Sequence, residues 1–330
     1  LCAGSHFSFM CNWIILIMKP AILVGGQAVI EGVMMRVPGA YATAVRDPKG
    51  NVHIDRHNFT SVTEHSAFWK KPVFRGMAAL FEAMKMGMAT LQWSADIAIP
   101  GESGKNKNNR VSDFFSTVLA IGLAILLFVI LPYWITTELL HLENNALPFN
   151  VAAGVIRIVF FVLYLLLISL MKDVKRLFRY HGAEHRVVYN FESGRDISIS
   201  DAQSFPTQHP RCGTSFMFIV LLSAIIVFAF IDTLILAVFN TINLPMRLLF
   251  HLPLIPLVAG VSYELIKLSV RHSDKAIVRL LQTPGLWLQL ITTRPPDDAM
   301  VEVAITALKS AFGDQLNELK GKEFIAEAIG

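Results

Sequence analysis

Four stretches of this chain are apolar for long enough to cross a bilayer as helices, which takes about 20 residues. They are 114–137 (FFSTVLAIGLAILLFVILPYWITT), 149–171, 215–239 and 248–270. Residues 21–60 have a different pattern. The short alternating runs AYATAVRD and NVHIDRHNF flank Pro48-Lys49-Gly50, and a Pro/Gly turn between such runs predicts a β-hairpin. The following segment, KKPVFRGMAALFEAMKMGMATLQWSADIA, has helix formers and the methionines Met77, Met84, Met86 and Met88. It reads as a helix lying on the membrane surface or against the spans, with a Met-rich binding face as the alternative.

Beyond the fourth stretch, breaks at Pro284-Gly285 and Pro295-Pro296 predict two or three amphipathic helices against the cytoplasmic face. Asp297 and Asp298 mark a helix start. No internal repeat is visible. The pattern therefore predicts an α-helical integral membrane protein with four transmembrane helices, a small N-terminal β-hairpin and C-terminal amphipathic helices. Its expected parts are 18–112, the four-helix membrane domain 113–270 with a loop at 172–214, and 271–330. Residues 1–17 include the run FSFMCNWIILIM, short for a span and without signal-peptide features. They read as a doubtful extension ahead of a start at Met18 or Met10, with an extra anchor as the other reading.

Composition agrees with a membrane protein: 54% of residues are hydrophobic and 16% charged, more apolar than an ordinary soluble domain. Basic residues orient it. The 172–214 loop holds Lys172, Lys175, Arg176, Arg179, Arg186, Arg195 and Arg211, whereas 138–148 holds none and 240–247 only Arg247. By the positive-inside bias the loop and both termini are expected in the cytoplasm of a multi-pass membrane protein. The net charge of +4 comes without a basic stripe interleaved with aromatics, so the expected partners are the lipid bilayer and other membrane proteins, with no nucleic acid. Cys2, Cys11 and Cys212 make no disulfide framework. PGESGKNKNNR at 100–110 reads as a polar linker; Ile99 and Asn106 stand where a phosphate loop needs Gly and Ser/Thr.

The chemistry-bearing residues cluster in the 172–214 loop. In HGAEH, His181 and His185 fall about 40° apart on a helix, with Glu184 about 60° from His181. Two imidazoles at that spacing can chelate a divalent ion, and the H-x-x-E-H order matches the inverted zincin pattern, in which Glu is the base. A surface helix with two histidines is the plain alternative. His209 and Cys212 in HPRCGTSF add ligands suited to zinc, against a plain loop that caps the third span. Glu264, inside the fourth span, reads as a ligand or general base, or as a partner of Lys267 or Arg271. Arg157 and Asp232 both lie about 10–12 Å from the outer ends of their spans, which predicts an interhelical salt bridge. In VGGQAVIEGVMMR, Glu31 is a candidate extra ligand.

Together GGQAVIEGVMMR, HGAEH, HPRCGTSF and LQLITTRPPDDAMVEVAI resemble the bacterial membrane family called domain of unknown function 1385, described as predicted metal-dependent enzymes. The resemblance covers roughly residues 18–312, and the basic, Asn-rich linker departs from the acidic stretch expected there. It implies a metal site at His181, Glu184, His185, His209 and Cys212, and it places Glu31, Gln289 and Arg294 in characteristic motifs without roles. The expected function is a zinc-dependent hydrolase at the cytoplasmic membrane face, with Glu184 or Glu264 as base. The rivals are a non-enzymatic accessory or assembly factor with a structural metal, and an ion or solute transporter built on Arg157, Asp232 and Glu264.

Overall fold

The computed structural model describes residues 24–100, 110–142, 145–210, 212–271, 275–319 and 321. The N-terminal run with Cys2 and Cys11, the linker from 101 to 109, and Arg211 lie outside the described residues.

The N-terminal sheet is larger than a hairpin. Strands β1 (Gly25–Val29), β2 (Gly32–Val37), β3 (Ala40–Arg46) and β4 (Val52–Asn58) form an antiparallel meander in chain order. The expected hairpin is β3–β4, and its turn is held by Asp47, whose Oδ1 accepts the N–H groups of Lys49 at 2.8 Å and Asn51 at 2.9 Å. Strand β2 is buried along nearly its whole length, so it lacks the alternation that marks a half-exposed strand. One face of the sheet carries Val33, Met35, Ala42 and Ala44 into the main core. The other face presents Gln27 against Gly87 of helix α1 (Phe74–Ala98).

That core joins three distant stretches. Helix α4 (Lys172–Glu192) contributes Tyr180, Val187 and Phe191, and helix α9 (Asp298–Phe312) contributes Met300, Val301, Leu308 and Phe312 to the cluster shared with the sheet. Asp297 caps α9 by accepting from the Met300 N–H at 3.0 Å, as its position predicted. The loop expected at 172–214 is thus part of a folded unit, and α9 turns its apolar face to the sheet rather than to a membrane surface.

Four segments are long and apolar enough to span a bilayer: Phe115–Leu139, Ala146–Ile168, Ile219–Phe239 and Leu244–Leu268. The first begins as helix α2 (Arg110–Ile125) and passes Pro132 between two π-helical turns, Leu126–Ile130 and Ile135–Leu139. Such wide turns accommodate the hydrogen bond that proline cannot donate. The second is α3 (Ala146–Ile168) and the third lies in α5 (Gly213–Phe239). The fourth combines α6 (Leu244–His251) with α7 (Ile255–Arg271). Their outward residues are apolar, for example Leu119 and Val238, which suits lipid.

Three expectations need correction here. Pro284-Gly285 does not end a helix: α8 runs unbroken from Ala276 to Thr292 and packs along α5, presenting Leu280, Trp287 and Leu290 outward. A helix supported by neighbours tolerates one missing backbone bond. Arg157 and Asp232 do not pair. Gly154 of α3 packs on Ile225 of α5, a register that brings Asp232 to Asn150 (2.6 Å) and leaves Arg157 about two turns away. Arg157 instead donates to the Phe128 carbonyl at 3.0 Å, and Asp232 also meets His251 at 2.8 Å and Arg247 at 3.6 Å. Glu264 is neither ligand nor base of the histidine site. Its carboxylate accepts from Arg75 Nε at 2.7 Å and from the Val73 N–H at 3.1 Å. This fastens the start of α1 to α7, where Gly76 lies against Gly260 and Tyr263.

Candidate metal centre

Helix α4 presents His181, Glu184 and His185 on one face, as the spacing predicted, and Cys212 arrives just ahead of α5. Nitrogen atoms of the two imidazoles and Cys212 Sγ all lie within 4.8 Å of one another. Backbone carbonyls set the tautomers. His181 Nδ1 lies 2.8 Å from the Thr292 oxygen and His185 Nδ1 2.5 Å from the Thr207 oxygen. A carbonyl oxygen only accepts, so each neutral ring carries its hydrogen on Nδ1 and keeps a lone pair on Nε2. His181 Nε2 is 3.2 Å from Cys212 Sγ, and His185 Nε2 is buried without a hydrogen-bond partner among the described residues. Two lone pairs and a thiol thus converge, each ring fixed from behind, an arrangement typical of metal-binding histidines.

Glu184 is buried beside them. Burial pushes its carboxyl up to about 8, opposed in part by His181 and by the Gly26 N–H. Burial pushes His185 down to about 4, favouring the neutral ring that a metal requires. Glu184 Oε2 has no partner among the described residues. Gly26 must be glycine for this packing, since a Cβ there would stand 2.8 Å from the Glu184 carboxyl carbon. Gly182, a weak helix former, has the same kind of reason: a Cβ would stand 2.1 Å from the Arg294 carbonyl oxygen. Arg294 enters through its backbone, its N–H donating to the Phe178 carbonyl at 2.9 Å.

Gln289, fully buried on α8, holds the other ligand loop. Its Oε1 accepts the His209 N–H at 2.7 Å and its Nε2 donates to the His209 carbonyl at 2.8 Å. Helix α8 thereby reaches the centre twice, through Gln289 and through the Thr292 carbonyl. His209 itself lines the same cavity but stands outside the trio. Its ring packs on Tyr189 at 4.3 Å, and Nε2 faces Glu192 at 3.5 Å. Glu31 is not a ligand either. In the β1–β2 turn at φ 52, its carboxylate is gripped by the Arg176 guanidinium and accepts from the Tyr180 hydroxyl at 3.2 Å.

A cavity of about 430 Å³ opens on the trio; Gln27, Glu184, His209 and Met217 are among its walls. Gln27 and the carbonyls of Thr207 and Thr292 were missed by sequence reasoning. The Gly-Gly-Gln motif was the available signal for the first, and no side-chain pattern marks a backbone acceptor.

Comparison with known proteins gives a consistent picture. The model described as protein of unknown function (DUF1385) matches residues 71–314. The uncharacterized protein YqhQ of Bacillus subtilis (strain 168) is 30% identical over 318 residues, covering 92% of this chain and 94% of that protein. No solved structure matches. The chain belongs to the DUF1385 family.

Proposed function

We propose that this protein is a metal-dependent hydrolase of the cytoplasmic face of the bacterial plasma membrane, with His181, His185 and Cys212 holding one divalent ion. The observation that carries this reading is the convergence of one nitrogen from each imidazole and the Cys212 thiol within 4.8 Å, beside a buried carboxylate oxygen without a hydrogen-bond partner among the described residues. Two imidazoles and a sulfur favour zinc. When bound there, the ion supplies Lewis acidity, which acidifies water and polarises a carbonyl or phosphoryl oxygen.

Glu184 supplies the proton handling. It takes a proton from the attacking water as the oxygen bonds to the acyl carbon or phosphorus. It then returns the proton to the leaving group as the scissile bond breaks. The Glu184 carboxylate form, which burial alone disfavours, would be favoured by a cation held at His181, His185 and Cys212. Gln289 and the two carbonyls keep the ligands in place.

A structural metal in an assembly factor calls for a closed sphere of four ligands. With His209 turned to Glu192, three remain, which supports the open, catalytic alternative. The test is Glu184→Gln in purified protein, assayed on ester, amide and phosphodiester chromogenic substrates. The variant should keep its metal and lose turnover by about 10²–10⁴-fold. A wild type that retains metal but turns over none of these, with a variant equally inert, would favour the structural role.

A further inference from the structure

One wall of the cavity is left unused by this chemistry. Besides its polar groups, the cavity is lined by Val24, Ala28, Leu177, Phe178, Val188 and Met217, an apolar surface adjoining the ligands. Gly213 and Met217 of that lining lie in the first turns of α5, the helix whose continuation, Ile219–Phe239, is the third span. Positions 213, 217 and 220 share one face of a helix. Val220, the next member of that face, is 37% exposed in the apolar span. The helix face that lines the cavity therefore continues as exposed apolar surface within a segment long and apolar enough to span a bilayer.

We infer that the substrate is an amphiphile drawn from the bilayer, its acyl chain lying along the Met217–Val220 face of α5 and its polar linkage reaching the His181, His185 and Cys212 trio. The inference rests on the metal-centre reading for its polar half and on the continuous apolar wall for the other. A water-soluble substrate would gain nothing from a wall that leads into lipid, whereas a lipid chain can follow it without crossing water. A cavity of about 430 Å³ is of ordinary ligand size; it takes the polar end and the first part of the chain, and the bilayer solvates the rest.

The experiment uses the cobalt-substituted full chain in lipid nanodiscs, with acetohydroxamate and octanohydroxamate as probes. Binding is read from the cobalt absorption bands against the free aqueous concentration of each probe. Referring to the aqueous concentration removes simple partitioning, so only a chain buried in the bound state raises affinity. The longer probe should bind at least about a hundredfold more tightly than the shorter. In Met217→Gln and in Leu177→Asn the ratio between the probes should fall below about tenfold. Cobalt bands with a ratio near one in the wild type would overturn the amphiphile inference and leave the metal centre standing. Both variants keeping the full ratio would overturn the groove. Absence of cobalt bands would bring down the metal reading and this inference with it.

Discussion

Two regions of this molecule bury polar side chains among apolar neighbours, and they treat them in opposite ways. Between the spans, Asp232 is fully buried, yet Asn150 donates to one of its oxygens and His251 meets the other, with Arg247 close by. At the junction of the spans and the sheet unit, His185 Nε2 and Glu184 Oε2 have no partner among the described residues, and both residues line a cavity. Leaving a buried polar atom unmatched costs about 1–3 kcal/mol. A carboxylate matched on both oxygens ties helices together. A cluster that converges unsatisfied on a cavity is built for something that enters it.

The sharpest way to separate the two is to empty the second. His181→Ala/His185→Ala should reduce bound metal from about one per chain to none by elemental mass spectrometry, while Asp232→Ala should leave metal content unchanged. Asp232→Ala should instead lower stability by about 3–5 kcal/mol, the cost of stranding buried charged partners, read as an earlier thermal melt in detergent. If it melts like the wild type, the membrane cluster is not a structural tie.

Gln289→Ala probes the connection between the regions. Releasing the His209 backbone should weaken metal affinity by about 10–100-fold in a chelator competition, and unchanged affinity would remove the clamp from the account.

The smallest effect is a pH slope. In metal-free protein Glu184 is raised from 4.5 to about 8, so its stabilising protonated form is fully populated below 4.5 and lost as pH rises through 8. His185, lowered from 6.5 to about 4, contributes fully above 6.5 and loses that contribution as pH falls through 4. Of these two contributions only that of Glu184 changes between 6.5 and 8, so chelated wild type should melt earlier with rising pH and Glu184→Gln should show a shallower slope. Parallel slopes would show that Glu184 is not held protonated.

Much of this was legible in the chain. Bilayer thickness imposes long apolar runs, so four spans were readable to within a few residues, and helical periodicity put His181, Glu184 and His185 on one face. What stayed hidden depends on how distant segments meet. Strand β2 was missed because cover on both faces erased its alternation, and β1, GGQAV, because it opens on two glycines and carries no alternating apolar run. Depth counted from the ends of apolar runs mispaired Arg157 with Asp232, since the α3–α5 register is set by Gly154 against Ile225. Glu264, read as a ligand, a base or a partner of Lys267 or Arg271, and Glu31, read as an extra ligand, are instead held by Arg75 and Arg176, which only the fold brings to them. Gln289 gained a role only once α8 lay along α5.

X-ray absorption at the zinc edge of the detergent-purified protein, with the edge step normalised to protein, reads the proposed metal centre itself. About one zinc per chain is expected, with one sulfur at about 2.3 Å and nitrogen or oxygen neighbours at about 2.0–2.1 Å. No edge, or a shell without sulfur, would contradict it.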